Sequence, residues 1–158
     1  MHALACTIFM KQIIFDTEKK VIEWLTKLQP YYADRVNEFG FYVLSRKGKL
    51  VVKECVQGDQ ESVELQTPYK ARFDVHTHPY NPLCSMFSFD DFNNYVKVNA
   101  DGIMINKFGL WFCDTQRLKP LYSALRIKYD VHKDTDIGIV NMNVELFGLG
   151  ILSKLCAT

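Results

Sequence analysis

Phe73-Asp74-Val75-His76-Thr77-His78-Pro79 is the stretch on which the reading of this chain turns. Residues two apart on a β-strand point to the same side. A strand over Arg72 to His76, ending in His-Thr-His-Pro, therefore presents the imidazoles of His76 and His78 together at its end. Two ligands of one metal ion need that arrangement. Zinc takes neutral imidazole and carboxylate, and catalytic zinc sites combine three protein ligands with one open position for water. A third ligand stands shortly downstream: Asp91, or its neighbour Asp90, at the start of the helix after the loop. Ser88-x-x-Asp91 sets a hydroxyl one helical turn from that carboxylate. The same pair fits a capping box, in which both groups satisfy free helix N–H groups. The two roles are compatible, because a carboxylate has two oxygens. The chain has four His, and two of them lie in this one turn with acidic residues soon after, which favours ligation over a chance polar strand end. His2 and His132 read as surface residues.

A catalytic zinc also needs a base for its water. Glu38 is a candidate, because it opens an apolar strand and would sit at an element's edge, away from any charged surface run. On spacing alone Glu54, Glu61 and Glu64 are equally eligible.

Working outward, Phe39 to Ser45 and Leu50 to Val56 are rich in β-formers and flank the turn signal Lys47-Gly48, which predicts a hairpin. Gly58-Asp59 marks another turn, and Glu61 to Leu65 alternates polar with apolar. Upstream, Lys11 to Phe15 reads as a strand. Asp16 or Thr17 caps a helix carrying Val21, Ile22, Leu25 and Leu28 at helical spacing, and Pro30 is expected to end it. Downstream, Pro79 and Pro82 make a loop. Ser88 then opens a helix with Phe89, Phe92, Tyr95 and Val96 on one face. Gly102 to Asn106 and Leu110 to Cys113 flank Lys107-Phe108-Gly109, a second hairpin. Leu118 to Tyr129 reads as a helix broken by Pro120, and Asn143 to Leu155 as a helix despite Gly148 and Gly150. The expected fold is α/β, with a mixed, mostly antiparallel sheet flanked by helices.

The 158 residues and 18.4 kDa suit one domain over residues 1–158. Apolar residues at 48% and charged residues at 23% exclude an intrinsically disordered chain. A net charge of +1 argues against non-specific nucleic-acid binding as the main activity, which draws on excess positive charge. No apolar run is long enough to span a bilayer, and Met1 to Phe9 lacks the basic n-region and cleavage site of a secretory signal. Cys6, Cys55, Cys84, Cys113 and Cys156 are scattered and odd in number, without a C-x-x-C pair. They read as free thiols in a reducing, intracellular compartment.

Together these residues resemble the JAMM metalloprotease family, the MPN-type domains. That family's pattern is an upstream Glu, then H-[ST]-H-P, a loop, and S-x-x-D. Glu38 followed by Phe39-Gly40-Phe41-Tyr42-Val43-Leu44-Ser45, then His76-Thr77-His78-Pro79, then Ser88-Phe89-Asp90-Asp91, follow it in order. The resemblance covers roughly residues 10–113 and leaves 116–158 unassigned. It implies an MPN/JAB-like, cytidine-deaminase-like layered fold. It implies zinc held by His76, His78 and Asp91, Glu38 as general acid/base, and Ser88 helping to hold the oxyanion. It implies hydrolysis of a peptide or isopeptide bond, often at the C-terminal tail of ubiquitin or a ubiquitin-like protein. Nine residues separate His78 from Ser88, a longer loop than the family's usual one, and loop insertions of that size cost little. Some members of the fold have lost the metal and serve as scaffolds, so a non-catalytic interaction module is the alternative. Phe87, Phe89 and Phe92 read as core, or as the lining of a groove for an extended tail.

Asp-Val-His-Thr-His also resembles the first-strand motif of amidohydrolase barrels. Such barrels run to about 250 residues, whereas 80 residues follow His78 here, with His132 as their one further His.

Overall fold

The structure is a computed structural model that describes residues 12–33, 37–52, 56–57, 70–79, 86–130 and 136–155. Its strands are β1 (Ile13–Phe15), β2 (Phe39–Arg46), β3 (Lys49–Val52), β4 (Val56–Gln57), β5 (Ala71–Thr77), β6 (Asp101–Asn106), β7 (Gly109–Cys113) and β8 (Leu152–Leu155). Its helices are α1 (Glu18–Ala33), α2 (Phe89–Val98), α3 (Thr115–Leu118), α4 (Tyr122–Lys128) and α5 (Asp136–Gly148), with a 3-10 turn over Lys119–Leu121 between α3 and α4. The strands form one mixed sheet in the order β1-β3-β2-β5-β6-β7-β8, and β4 pairs with the Phe39–Gly40 end of β2. Only β5 and β6 run parallel among the described pairings. Parallel neighbours need a crossover connection, and α2 lies within it.

The sheet separates two apolar layers. Val21, Leu25 and Leu28 of α1 lie with Phe41, Val43, Phe73, Val75, Ile103 and Ile105. Phe89, Phe92 and Tyr95 of α2 lie with Met104, Cys113, Leu118, Met142 and Leu146 in the second. Along β6, Ile103 and Ile105 enter the first layer and Met104 the second, as the period of two requires. The molecule is thus an α/β fold whose mixed sheet is flanked by helices, as the pattern of apolar residues predicts.

Local signals account for most of the elements. Lys47 and Gly48 both take positive φ, 49° and 77°, the backbone that lets a two-residue hairpin follow the strand twist. Ser88 caps α2 with both halves of a capping box formed. The expected strand Glu61 to Leu65 and the turn at Gly58-Asp59 lie outside the described residues, as do the candidate bases Glu54, Glu61 and Glu64.

Two expectations need correction, and the middle of the strand expected over Leu50 to Val56, residues 53–55, lies outside the described residues. Pro30 does not end α1, which runs on to Ala33. A proline removes one intrahelical hydrogen bond, and here Gln29 Nε2 anchors the last turns by donating to the carbonyls of Asn106 (2.8 Å) and Lys107 (3.2 Å). The helix expected over Asn143 to Leu155 ends at Gly148, and Leu152–Leu155 is the edge strand β8, paired antiparallel with β7.

Gly150 is the reason for that last break. It has φ +73°, its N–H donates to the Phe147 carbonyl, and the Ile151 N–H donates to the Leu146 carbonyl. That is a Schellman ending, with buried Ile151 and Leu146 as its apolar contact. Arg117 donates to the freed carbonyls of Leu149 (2.7 Å) and Gly150 (3.2 Å). Gly150→Ala puts a Cβ on a left-handed residue. It is expected to destabilise the protein by roughly 1 kcal/mol, a drop of about 2–4 °C in melting temperature by circular dichroism. An unchanged melting temperature would show that the turn does not depend on glycine.

Candidate metal centre

β5 carries Phe73 and Val75 into the α1 layer and turns Asp74 and His76 toward α2. His78 follows directly, held at the strand end by its own N–H to the Ile105 carbonyl of β6 (2.9 Å). Thr77 faces the other way along β2, its hydroxyl accepting the Phe39 N–H at 2.9 Å. These backbone ties fix where the two imidazoles emerge.

The two rings approach at their Nε2 atoms, 3.0 Å apart. Asp91 meets both. Its Oδ1 lies 3.0 Å from His76 Nε2 and its Oδ2 lies 3.2 Å from His78 Nε2. His76 and His78 are buried and Asp91 nearly so. Asp91 is the third residue of α2, and the capping box sets its direction. The Ser88 N–H donates to Asp91 Oδ2 (2.7 Å), while the Asp91 N–H donates to Ser88 Oγ (3.1 Å). Capping therefore occupies Oδ2 and leaves Oδ1 facing His76. Asp90, one residue earlier, is exposed and outside this group.

The His76, His78 and Asp91 group can hold a metal ion. For ligand bonds of about 2.0–2.1 Å the edge of a tetrahedron is about 3.3 Å; His76 Nε2 lies 3.0 Å from both His78 Nε2 and Asp91 Oδ1, close to that edge, and His78 Nε2 lies 3.2 Å from the other Asp91 oxygen. The donor set, two imidazole nitrogens and one carboxylate, leaves a fourth corner for another ligand.

Glu38 lies buried at the start of β2. Gly40 of β2 is the register partner of His76, so continuing the antiparallel register brings Glu38 to the His78 end of β5. Its carboxylate favours the charged form of His76. Ser88, half-buried, has its oxygen beside the Asp91 backbone. The structure thus gathers Glu38, His76, His78, Ser88 and Asp91 at one end of β5.

Further polar groups surround His76 that spacing did not single out. Asp74, buried, accepts from Asn94 Nδ2 at 2.5 Å, and Asn94 also reaches the Tyr42 hydroxyl at 3.2 Å. Asp74 Oδ1 lies 4.0 Å from His76 Nδ1, and the Tyr95 hydroxyl 3.3 Å from it. Asp74 stands two residues before His76, so strand alternation was the signal for its placement. Tyr95 read only as a core position of α2.

Electrostatics follow from burial and pairing. Burial disfavours a charged His76, but Asp91, Asp74 and Glu38 outweigh it and push its pKa up to about 9. Burial likewise opposes charge on Asp91, yet His76 and His78 hold it well below the usual carboxylate range. Asp74 goes the other way, raised to about 6 by burial, with His76 and Asn94 offsetting only part. Burial also keeps the Tyr95 phenol protonated far above neutrality.

No family model, no characterised protein and no solved structure matches the chain. No helix of the described residues is long and apolar enough to cross a membrane.

These shifts set a pH dependence for the metal-free protein. The raised His76 contributes stability that is full below its unfolded value of 6.5 and is lost as pH rises through about 9. The depressed Asp91 contributes stability present above 3.8 and lost on acidification below it. Ionising Asp74 between 3.8 and about 6 lowers stability. In chelator, the melting temperature is therefore expected to fall between about pH 6.5 and about pH 10, and His76→Ala is expected to remove most of that fall. An equal fall in His76→Ala would show that His76 is not paired with Asp91.

Proposed function

We propose that this chain is a zinc-dependent peptidase or isopeptidase with an MPN/JAB-like fold, similar in its site to the JAMM metalloproteases. The observation that carries the reading is the meeting of His76 Nε2, His78 Nε2 and the Asp91 carboxylate within 3.0 to 3.2 Å, with buried Glu38 at the same strand end. The sequence motifs support it, since the upstream Glu, His-Thr-His-Pro and Ser-x-x-Asp occur in the family's order.

Zinc in this donor set supplies a Lewis acid that polarises a scissile carbonyl and acidifies water. The protein residues divide the remaining work. His76, His78 and Asp91 hold the ion, with Asp91 oriented by the Ser88 N–H. Glu38 takes a proton from the attacking water and returns it to the leaving amine. Ser88 Oγ accepts the Asp91 N–H, and its hydroxyl donates to the oxyanion of the tetrahedral intermediate. The substrate is a protein carrying a ubiquitin-like or other extended C-terminal tail. The buried free thiol of Cys113 suits a reducing compartment, and we place the activity inside the cell.

The native protein is expected to carry about one zinc per chain, as one three-residue site requires, and to lose it when His76 and His78 are both Ala. Elemental analysis of the purified chain measures this. A fully folded native chain without bound zinc would favour the scaffold alternative. Glu38→Gln is expected to keep zinc and fold while lowering cleavage of a panel of peptide- and isopeptide-linked tails by roughly 10²–10⁴-fold, the usual contribution of general acid–base catalysis. Cleavage by Glu38→Gln at the native rate would remove Glu38 from the mechanism.

A further inference from the structure

A buried carboxylate needs a reason, and the mechanism above does not use Asp74. Its partner Asn94 is an uncharged side chain on α2. It stands on the same face of β5 as His76, with Oδ1 4.0 Å from His76 Nδ1. On that nitrogen also converges the Tyr95 hydroxyl, at 3.3 Å. The opposite ring nitrogen, Nε2, is the one that meets His78 and Asp91. A neutral imidazole has one N–H and one lone pair, so a ring that offers its Nε2 lone pair must carry its proton on Nδ1. Ligating histidines generally donate that second N–H to an oxygen, which sets both tautomer and ring angle.

We propose that Tyr95 and Asp74 are positioning residues of the metal centre, with the Tyr95 oxygen accepting the His76 Nδ1–H and the Asp74 carboxylate standing behind it. This rests on the zinc reading above and extends it to residues outside the ligand set.

The surroundings are built for this contact. Gly102 of β6 is the register partner of Asp74, and a Cβ there would overlap the Tyr95 ring. The glycine therefore admits the ring to the sheet surface at the point where its hydroxyl reaches His76. Asn94, one residue before Tyr95 on α2, ties down Asp74 and contacts the Tyr42 hydroxyl. The Tyr95 hydroxyl oxygen has lone pairs that can accept the imidazole N–H. Phe87 packs edge-on against the Tyr95 ring, with centroids 6.1 Å apart.

The test is zinc affinity in the full chain, measured by competition with a chromophoric chelator. Tyr95→Phe and Asp74→Asn are each expected to weaken zinc by roughly 10–100-fold, the usual effect of removing such a partner. Their melting temperatures in chelator should stay near the native value for Tyr95→Phe and at or above it for Asp74→Asn, which removes a buried acid. A spectroscopic readout separates positioning from support: the visible bands of the cobalt-substituted site are expected to shift in both variants. Gly102→Ala, which displaces the ring, should reproduce the affinity loss of Tyr95→Phe. Native affinity and unchanged cobalt bands in Tyr95→Phe and Asp74→Asn would overturn the proposal while leaving the metal site itself standing. A native chain that binds neither zinc nor cobalt would instead overturn the reading on which it rests.

Discussion

β5 is wedged between an antiparallel neighbour, β2, and a parallel one, β6, and this placement constrains everything around it. A strand buried on both faces must still alternate its side chains. In β5 that alternation sends Phe73 and Val75 into the α1 layer and Asp74 and His76 toward α2. The parallel pairing with β6 then demands a crossover, which begins where β5 ends. The first turn of α2 consequently arrives at the carboxyl end of β5, the general location of ligand sites in sheets of this kind. Asp91 meets the two histidines there, while Asn94 and Tyr95, one turn further along α2, lie back over Asp74 and His76.

Charge burial makes that arrangement a demanding one. Paired buried charges gain little net stability, and removing one partner leaves the other uncompensated. Two imidazole nitrogens 3.0 Å apart cannot both carry a proton between them, and the Asp91 carboxylate adds no donor while it is ionised. A metal ion can engage all three residues, which a single shared proton cannot. Asp91 keeps its helix cap at the same time, because the Ser88 N–H and the cluster engage its two oxygens differently. The cap gives the carboxylate a fixed rotamer before any ion arrives.

What was legible in the sequence follows from range. His76 with His78, and Ser88 with Asp91, are local pairs whose spacing already specifies geometry, one through the strand period and the other through the capping box. The formed capping box turns Asp91, the residue three after the cap, inward and leaves Asp90 exposed. The network of Tyr42, Asp74 and Asn94 joins β2, β5 and α2, and no local period connects residues so far apart. Glu38 is intermediate. Its strand was readable, but its position opposite the histidines depends on the β2–β5 register. At the C-terminus, Gly150 carried the stop signal that makes Leu152–Leu155 a strand, and the apolar run around it masked that signal.

Two glycines flank β5, one on each neighbouring strand. Directly paired residues of neighbouring strands share a face. Gly40 in β2 sits opposite His76, and Gly102 in β6 sits beside Asp74. On the polar face of β5, both neighbouring strands thus present a residue without a side chain. On the β6 side the gap is filled by the Tyr95 ring, whose hydroxyl meets His76. On the β2 side, no side chain at position 40 stands between His76 and its surroundings. A Cβ at position 102 would overlap the Tyr95 ring. Each neighbouring strand thus leaves one side chain off beside this buried polar pair, with Tyr42 and Met104 as the other register partners, and the helix crossing above adds Asp91, Asn94 and Tyr95 to the cluster.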